Sequence, residues 1–222
     1  MSAKDVSKAK PGSGHYLAKP GSGSGRGIMV LPAWWGLTPF FTGLCDRLAG
    51  QGFVALAPDL YHGATANTIE EAKKLRSKLK QEIVTQEILQ AVEVLGTECQ
   101  EREAGIGVVG FSLGGYYGLW LADQTPSPVI AAVIFYGTRN GNYAKSRSAF
   151  QFHYAETDEY VAVSAINKLR KTLKLSGKET EFYTYPGTTH WFFESDRPQA
   201  YQRDAAETAW NRTVHFLRKN LG

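Results

Sequence analysis

At 222 residues with 43% hydrophobic content, the chain is long and apolar enough to bury a sizeable core in one domain. Its net charge of +4 has both signs spread along the sequence, which calls for no nucleic-acid partner. The 2 cysteines, Cys45 and Cys99, lie in unlike contexts without a CxxC or Cys/His cluster. That argues against a disulfide framework or a metal site and fits reduced thiols in a cytoplasmic protein.

The amino-terminal stretch carries charges without an apolar signal core, and no run approaches about 18 apolar residues. Neither a secretory signal nor a membrane anchor is expected. Residues 1–13 read as a loose arm and 14–222 as one domain. A short strand over 15–18 leads to Gly21-Ser22-Gly23-Ser24-Gly25, a flexible turn. Residues 27–32 are unbroken apolar, the pattern of a strand covered on both faces. Over 38–50, Phe40, Phe41, Leu44 and Leu48 recur at helical spacing, and Gly50 reads as the stop. A second buried strand is expected over 53–58.

Residues 68–95 read as helical, with Ile69, Ala72, Leu75, Leu79 and Ile83 on one stripe. The stripe then shifts to Ile88, Val92 and Leu95, which predicts a break between two helices. The basic run Lys73, Lys74, Arg76, Lys78 and Lys80 reads as a solvated helix face. Strands follow over 106–109, 129–136, 150–154 and 181–185, and helices over 163–175 and 198–221. In the last helix Ala206, Trp210, Val214 and Leu217 are expected to face inward. This alternation means α/β, a mostly parallel twisted sheet with helices on both faces.

The chemistry centres on Gly110-Phe111-Ser112-Leu113-Gly114, between an apolar strand and the apolar run Tyr116 to Leu121. Gly-x-Ser-x-Gly between strand and helix is the nucleophile elbow of α/β-hydrolases. The glycines let the serine take a strained backbone while strand and helix pack closely. A serine alcohol needs a base, usually a histidine whose tautomer a carboxylate fixes, in the chain order Ser, Asp or Glu, His. Of 5 histidines, His15 and His62 precede Ser112, His153 falls inside a strand and reads as packed, and His215 lies in the last helix. His190, in the loop after the 181–185 strand, is left as the base. Glu156, Asp158 and Glu159 all compete for the carboxylate, and their spacing does not separate them.

Four segments in order resemble the dienelactone hydrolase family: Trp34-Trp35-Gly36-Leu37, Pro58-Asp59-Leu60-Tyr61, the elbow through Gly115, and Asp158-Glu159-Tyr160-Val161. The resemblance runs from about residue 27 to the C-terminus. It implies a single-domain α/β-hydrolase without a large lid, needing no cofactor or metal. Its Asp-x-x-Val pattern maps the acid onto Asp158 and its loop histidine onto His190. The backbone N–H groups of Leu113 and Trp34 map onto the oxyanion hole, and Ala33, Trp35, Trp191 and Phe192 are candidates to line the substrate pocket.

Two departures stand out. The family characteristically carries cysteine where this chain has Ser112, and glutamate where it has Ala33. A carboxylate beside a serine would oppose the developing oxyanion, so the two changes read as linked. Dienelactone-cleaving members place an arginine four residues after the histidine, and here Glu194 stands there, expected to repel an anionic lactone unless Arg197 or a residue of the basic helix takes over. The resulting expectation is a serine hydrolase acting on a small-molecule ester, lactone or thioester, as a monomer or small homo-oligomer. The alternative is a non-catalytic binding or scaffold protein on the same fold.

Overall fold

Seven strands and six helices alternate along the chain in a computed structural model that describes residues 14–100 and 104–222. The expected arm over 1–13 lies outside the described residues. The class is α/β with a seven-stranded, mostly parallel sheet, as the sequence pattern predicts. The chain groups into two compact units, one ending at Ile106 and one running from Gly107 to Gly222.

In the first unit, β1 (His15–Ala18), β2 (Gly27–Leu31) and β3 (Val54–Pro58) lie in the order β1-β3-β2. β2 runs parallel to β3 with Ile28 opposite Ala55, and β1 pairs antiparallel with β3, His15 opposite Pro58. All residues of β2 and β3 are buried, which is why their sequences show apolar runs without alternation. α1 (Pro39–Ala49) starts with proline in its first turn and buries Phe41, Leu44, Cys45 and Leu48 along one stripe. α1 stops at Gly50, its C-cap, as expected. The φ of Gly50 is −62°, still right-handed, and the left-handed residue is Gly52 at 95°.

The expected break is present, between α2 (Ile69–Ser77) and α3 (Gln81–Glu98). Thr68 and Glu71 close a reciprocal capping box at the start of α2. The expected stripe is not kept across the break. Ile83 is 47% exposed, whereas Val84, Ile88, Ala91 and Leu95 form the buried face of α3. A helix that restarts at Gln81 takes a new rotational phase, so spacing counted through the gap misplaces the face. The basic side chains of 73–80 are exposed, as a solvated face requires.

The second unit contains β4 (Ile106–Phe111) from its second residue on, α4 (Leu113–Ala122), β5 (Val129–Phe135), β6 (Ala149–Ala155), α5 (Val163–Leu175), β7 (Thr180–Tyr185) and α6 (Arg203–Leu221). Its strand order is β4-β5-β6-β7, with β5, β6 and β7 parallel in turn. α6 starts at Arg203 rather than at Pro198, because 197–202 forms turns: Ala200 and Tyr201 donate to the Arg197 carbonyl and Gln202 to that of Phe192. Ala206, Val214 and Leu217 face inward as expected, joined by Ala209, Thr213 and Phe216, while Trp210 is half-buried. Among the described residues no helix is long and apolar enough to cross a membrane.

His153 is a packed core residue. It is wholly buried, stacked on Phe135, with Nδ1 2.7 Å from the Tyr185 hydroxyl and Nε2 2.9 Å from Gln151 Oε1. Burial, helped by the charge of Arg212, lowers its pKa from 6.5 to about 3. Between those values the unfolded chain binds the extra proton and the folded chain does not. His153 therefore makes stability fall as pH drops below about 6.5, at up to roughly 1.4 kcal/mol per pH unit. Urea unfolding between about pH 7 and 4 should show this slope, and His153→Gln should flatten it. An equal slope in both proteins would remove His153 as its source.

Candidate active site

Ser112 is the first residue after β4 and the N-cap of α4, with φ 51° and ψ −109°. A serine in this left-handed region costs about 1–3 kcal/mol unless its surroundings dictate it. Here they do. Its N–H donates to the Phe135 carbonyl at the end of β5 at 3.0 Å, and its carbonyl accepts from Tyr116 N–H at 3.0 Å. A methyl on Gly110 would meet the Gly114 oxygen at 2.6 Å and the Gly115 Cα at 3.0 Å. Strand and helix therefore approach to a distance that only glycine permits. Leu113 opens α4, so its N–H is one of the first-turn donors that no helical carbonyl can satisfy.

His190 lies five residues beyond β7, in a loop tied to the segment after β6. Thr188 donates its hydroxyl to the Tyr185 carbonyl at 2.6 Å, and its own carbonyl accepts from Thr157 N–H at 3.1 Å. Glu156 accepts from Gly187 N–H at 2.9 Å. These bonds bring His190 Nδ1 within 2.7 Å of Asp158 Oδ2 and Nε2 within 3.0 Å of Ser112 Oγ. A carboxylate only accepts, so Nδ1 carries the proton and Nε2 presents its lone pair to the serine hydroxyl. Asp158 is held in turn, its Oδ1 accepting from the N–H groups of Tyr160 and Val161 at 2.8 and 2.9 Å. Of the three competing carboxylates, Glu156 is committed to Gly187 and Glu159 is exposed; Asp158 makes the bond to histidine.

His62 is exposed with Nε2 3.3 Å from Glu87, and His215 is exposed on α6. In the first unit, Ala33, Trp34 and Trp35 follow β2 and are buried, with the two indoles edge-to-face at 5.5 Å. Phe192, expected in the pocket, is wholly buried core, packed on Tyr136 and Tyr185 because the turn after His190 points it inward.

Three rings surround the His190 imidazole: Tyr136 at 4.7 Å and Tyr160 and Trp191 each at 4.9 Å. Tyr160 is 38% exposed and touches Trp191 at 4.9 Å, which gives the histidine an accessible aromatic flank. Sequence reasoning passed over Tyr160, although its place two residues after Asp158 was the signal. It also misjudged Glu194. That side chain is wholly buried, accepts from the Tyr136 hydroxyl at 2.6 Å, and is pushed by burial up to about 8. Burial thus favours its neutral form and weakens the repulsive charge expected of it. Among the described residues no group of His, Cys, Asp and Glu is arranged to hold a metal ion.

A family model described as the dienelactone hydrolase family matches residues 14–221. Protein usf of Aquifex pyrophilus is 32% identical over 216 residues, covering 93% of each chain. The carboxymethylenebutenolidase of Rhodococcus opacus is 27% identical, covering 93% of this chain and 86% of its own. In fold, the crystal structure of a dienelactone hydrolase-like promiscuous phosphotriesterase from metagenomic libraries superposes with a TM-score of 0.82 at 19% identity. It covers 100% of this chain and 99% of that one.

The elbow's dependence on glycine is testable. Gly110→Ala should lower the unfolding free energy by about 1–3 kcal/mol or more, because its methyl meets backbone that cannot yield. Gly43→Ala, in α1 with nothing within 4 Å of the added carbon, should leave stability equal or higher. Denaturant midpoints check both; equal effects at the two positions would contradict the account.

Proposed function

Because the chain belongs to the dienelactone hydrolase family, whose reaction is hydrolysis of ester or lactone bonds, we propose that it works as a serine enzyme through an acyl-serine intermediate. The observation that carries this reading is the continuous hydrogen-bonded line from Ser112 Oγ through His190 to Asp158. In the proposed mechanism Ser112 Oγ attacks the carbonyl carbon while His190 Nε2 takes the hydroxyl proton. The Leu113 N–H and, by the family resemblance, that of Trp34 receive the oxyanion. Collapse breaks the bond to the leaving alcohol, to which His190 returns the proton. Water, deprotonated by His190, then attacks the acyl-serine, and the acid leaves as Ser112 regains its proton. Asp158 keeps the Nδ1 proton in place and stabilises the imidazolium formed at each step. Ala33 brings no carboxyl group, so His190 acts as base without one.

The substrate is a neutral ester, lactone or thioester. Tyr160 and Trp191 offer apolar rings beside His190, and Glu194, in place of an arginine, gives a substrate carboxylate no cation there. A neutral aryl ester should exceed an anionic lactone in kcat/KM by at least about tenfold. The reverse order would place an anion-binding group in the pocket and reject this assignment.

A fluorophosphonate probe tests the nucleophile. Wild type should be labelled and Ser112→Ala not, while Asp158→Asn should keep KM and lose on the order of 10³–10⁴ in kcat, the tautomer being lost. Absence of labelling throughout about pH 6 to 9 would favour a binding protein on this fold.

A further inference from the structure

The hydrolytic steps leave unused a buried pair beside the base, Tyr136 and Glu194. Tyr136 directly follows β5 at φ 37°, and its N–H donates to the His153 carbonyl at 2.8 Å. Its ring lies against the His190 imidazole at 4.7 Å, and its hydroxyl donates to Glu194 Oε1 at 2.6 Å. Glu194 is four residues past His190, at the far side of the turns that carry the histidine. Its N–H donates to the Trp191 carbonyl, and its carbonyl accepts from Arg197 N–H, both at 2.9 Å. The hydroxyl-to-carboxyl bond thus joins the end of β5 to the loop that holds the base.

We propose that Tyr136 and Glu194 are positioning residues for His190, and that a buried charge on Glu194, with Oε2 left without a partner, loosens the histidine loop that their bond holds. Its consequence for rate rests on the serine-hydrolase reading; its consequence for the histidine does not. Phenylalanine and leucine would fill the same space without burying polar atoms. The neighbouring rings of Phe111, Phe135 and Phe193 show that apolar filling is how the rest of this cluster is made. What a hydrogen bond adds is direction: apolar rings slide and rotate against one another, whereas a 2.6 Å bond fixes loop register.

Protonation enters through the surroundings of Glu194. Its Oε2 is buried with no hydrogen-bond partner. Burial raises its pKa most and Asp196 adds to the rise, while the Tyr136 hydroxyl and Arg197 oppose it, for a value of about 8. Tyr136 faces Glu194, Asp196 and Asp158, and with burial foremost its own pKa is raised well above its ordinary value, so it remains a donor. Above about pH 8 a carboxylate would stand wholly buried with one oxygen unsolvated and Asp196 nearby. The relief open to it is water, and water reaches it by displacing the loop that carries His190.

The far-downfield proton resonance of the His190–Asp158 hydrogen bond reads the geometry directly, whether or not substrate is turned over. In the full chain at about pH 7, wild type should show it, and Tyr136→Phe should broaden or lose it while remaining folded by thermal melting. Raising the pH through about 8 should remove it from wild type and not from Glu194→Gln, which keeps an acceptor for Tyr136 but cannot ionise. On an aryl ester, Tyr136→Phe should lower kcat roughly tenfold with KM nearly unchanged, since only the placement of the base is affected. The alkaline fall of wild-type kcat should be absent in Glu194→Gln. A resonance unchanged in Tyr136→Phe, or lost with the same pH dependence in Glu194→Gln, overturns the proposal. If wild type shows the predicted resonance behaviour but neither labels nor turns over esters, the serine-hydrolase reading fails and the tether stands.

Discussion

The backbone at Ser112 is the constraint on which the chemistry of the second unit depends. Nothing in a serine favours a φ of 51°, so the conformation must be imposed from outside the residue. Three glycines supply the room. A carbon added at Gly110 would strike the Gly114 backbone, and one at Gly115 would meet Ile134 and Gly137. One at Gly137 would lie 3.2 Å from the Ser112 oxygen. With no side chains between them, β4, the start of α4 and the end of β5 close on one another, and the Ser112-to-Phe135 bond locks the turn. The strain is held by rigid elements on both sides, which is why the hydroxyl has one direction rather than several.

The partners reach that hydroxyl because parallel strands deliver their following loops to the same edge. Ala155 ends β6 opposite Tyr185, which ends β7, so the segments after them leave the sheet side by side. Asp158 is three residues on and His190 five, distances too short to stray far. The bonds of Thr188 and Glu156 then stitch the two segments together before the imidazole and carboxylate meet. Precision at Nε2 is inherited from sheet register through a few short loops.

What was legible in the sequence was whatever one segment decides alone. The covered strands β2, β3 and β5, the elbow and α5 follow from local apolar runs, glycine spacing and helical periodicity. Features decided by distant partners were not legible. The phase of α3 depends on where the helix restarts, and the start of α6 on turns bonded back to Arg197 and Phe192. Composition left Glu156, Asp158 and Glu159 level; the distinction lies in which of them the stitching leaves facing His190. Phe192 was expected in the pocket and is core, while Tyr160, for which no place was expected, is exposed, because aromatic residues near a histidine read alike until burial separates them.

Glu194 shows how far a formal charge differs from a physical one. Counted along the sequence it adds a negative charge four residues from the proposed base. Placed in the fold, it is a wholly buried acid bonded to a tyrosine hydroxyl, and burial pushes its pKa up to about 8. A carboxylate repels a substrate anion only if it is ionised and near it; burial removes the first condition. The carboxyl group that acts directly on His190 is then Asp158, its hydrogen-bond partner, and its other close neighbours are the rings of Tyr136, Tyr160 and Trp191. The same burial that silences Glu194 at neutral pH makes its ionisation disruptive when the pH rises. In this fold the residue belongs to the framework that aims the histidine, and it takes no part in recognising charge.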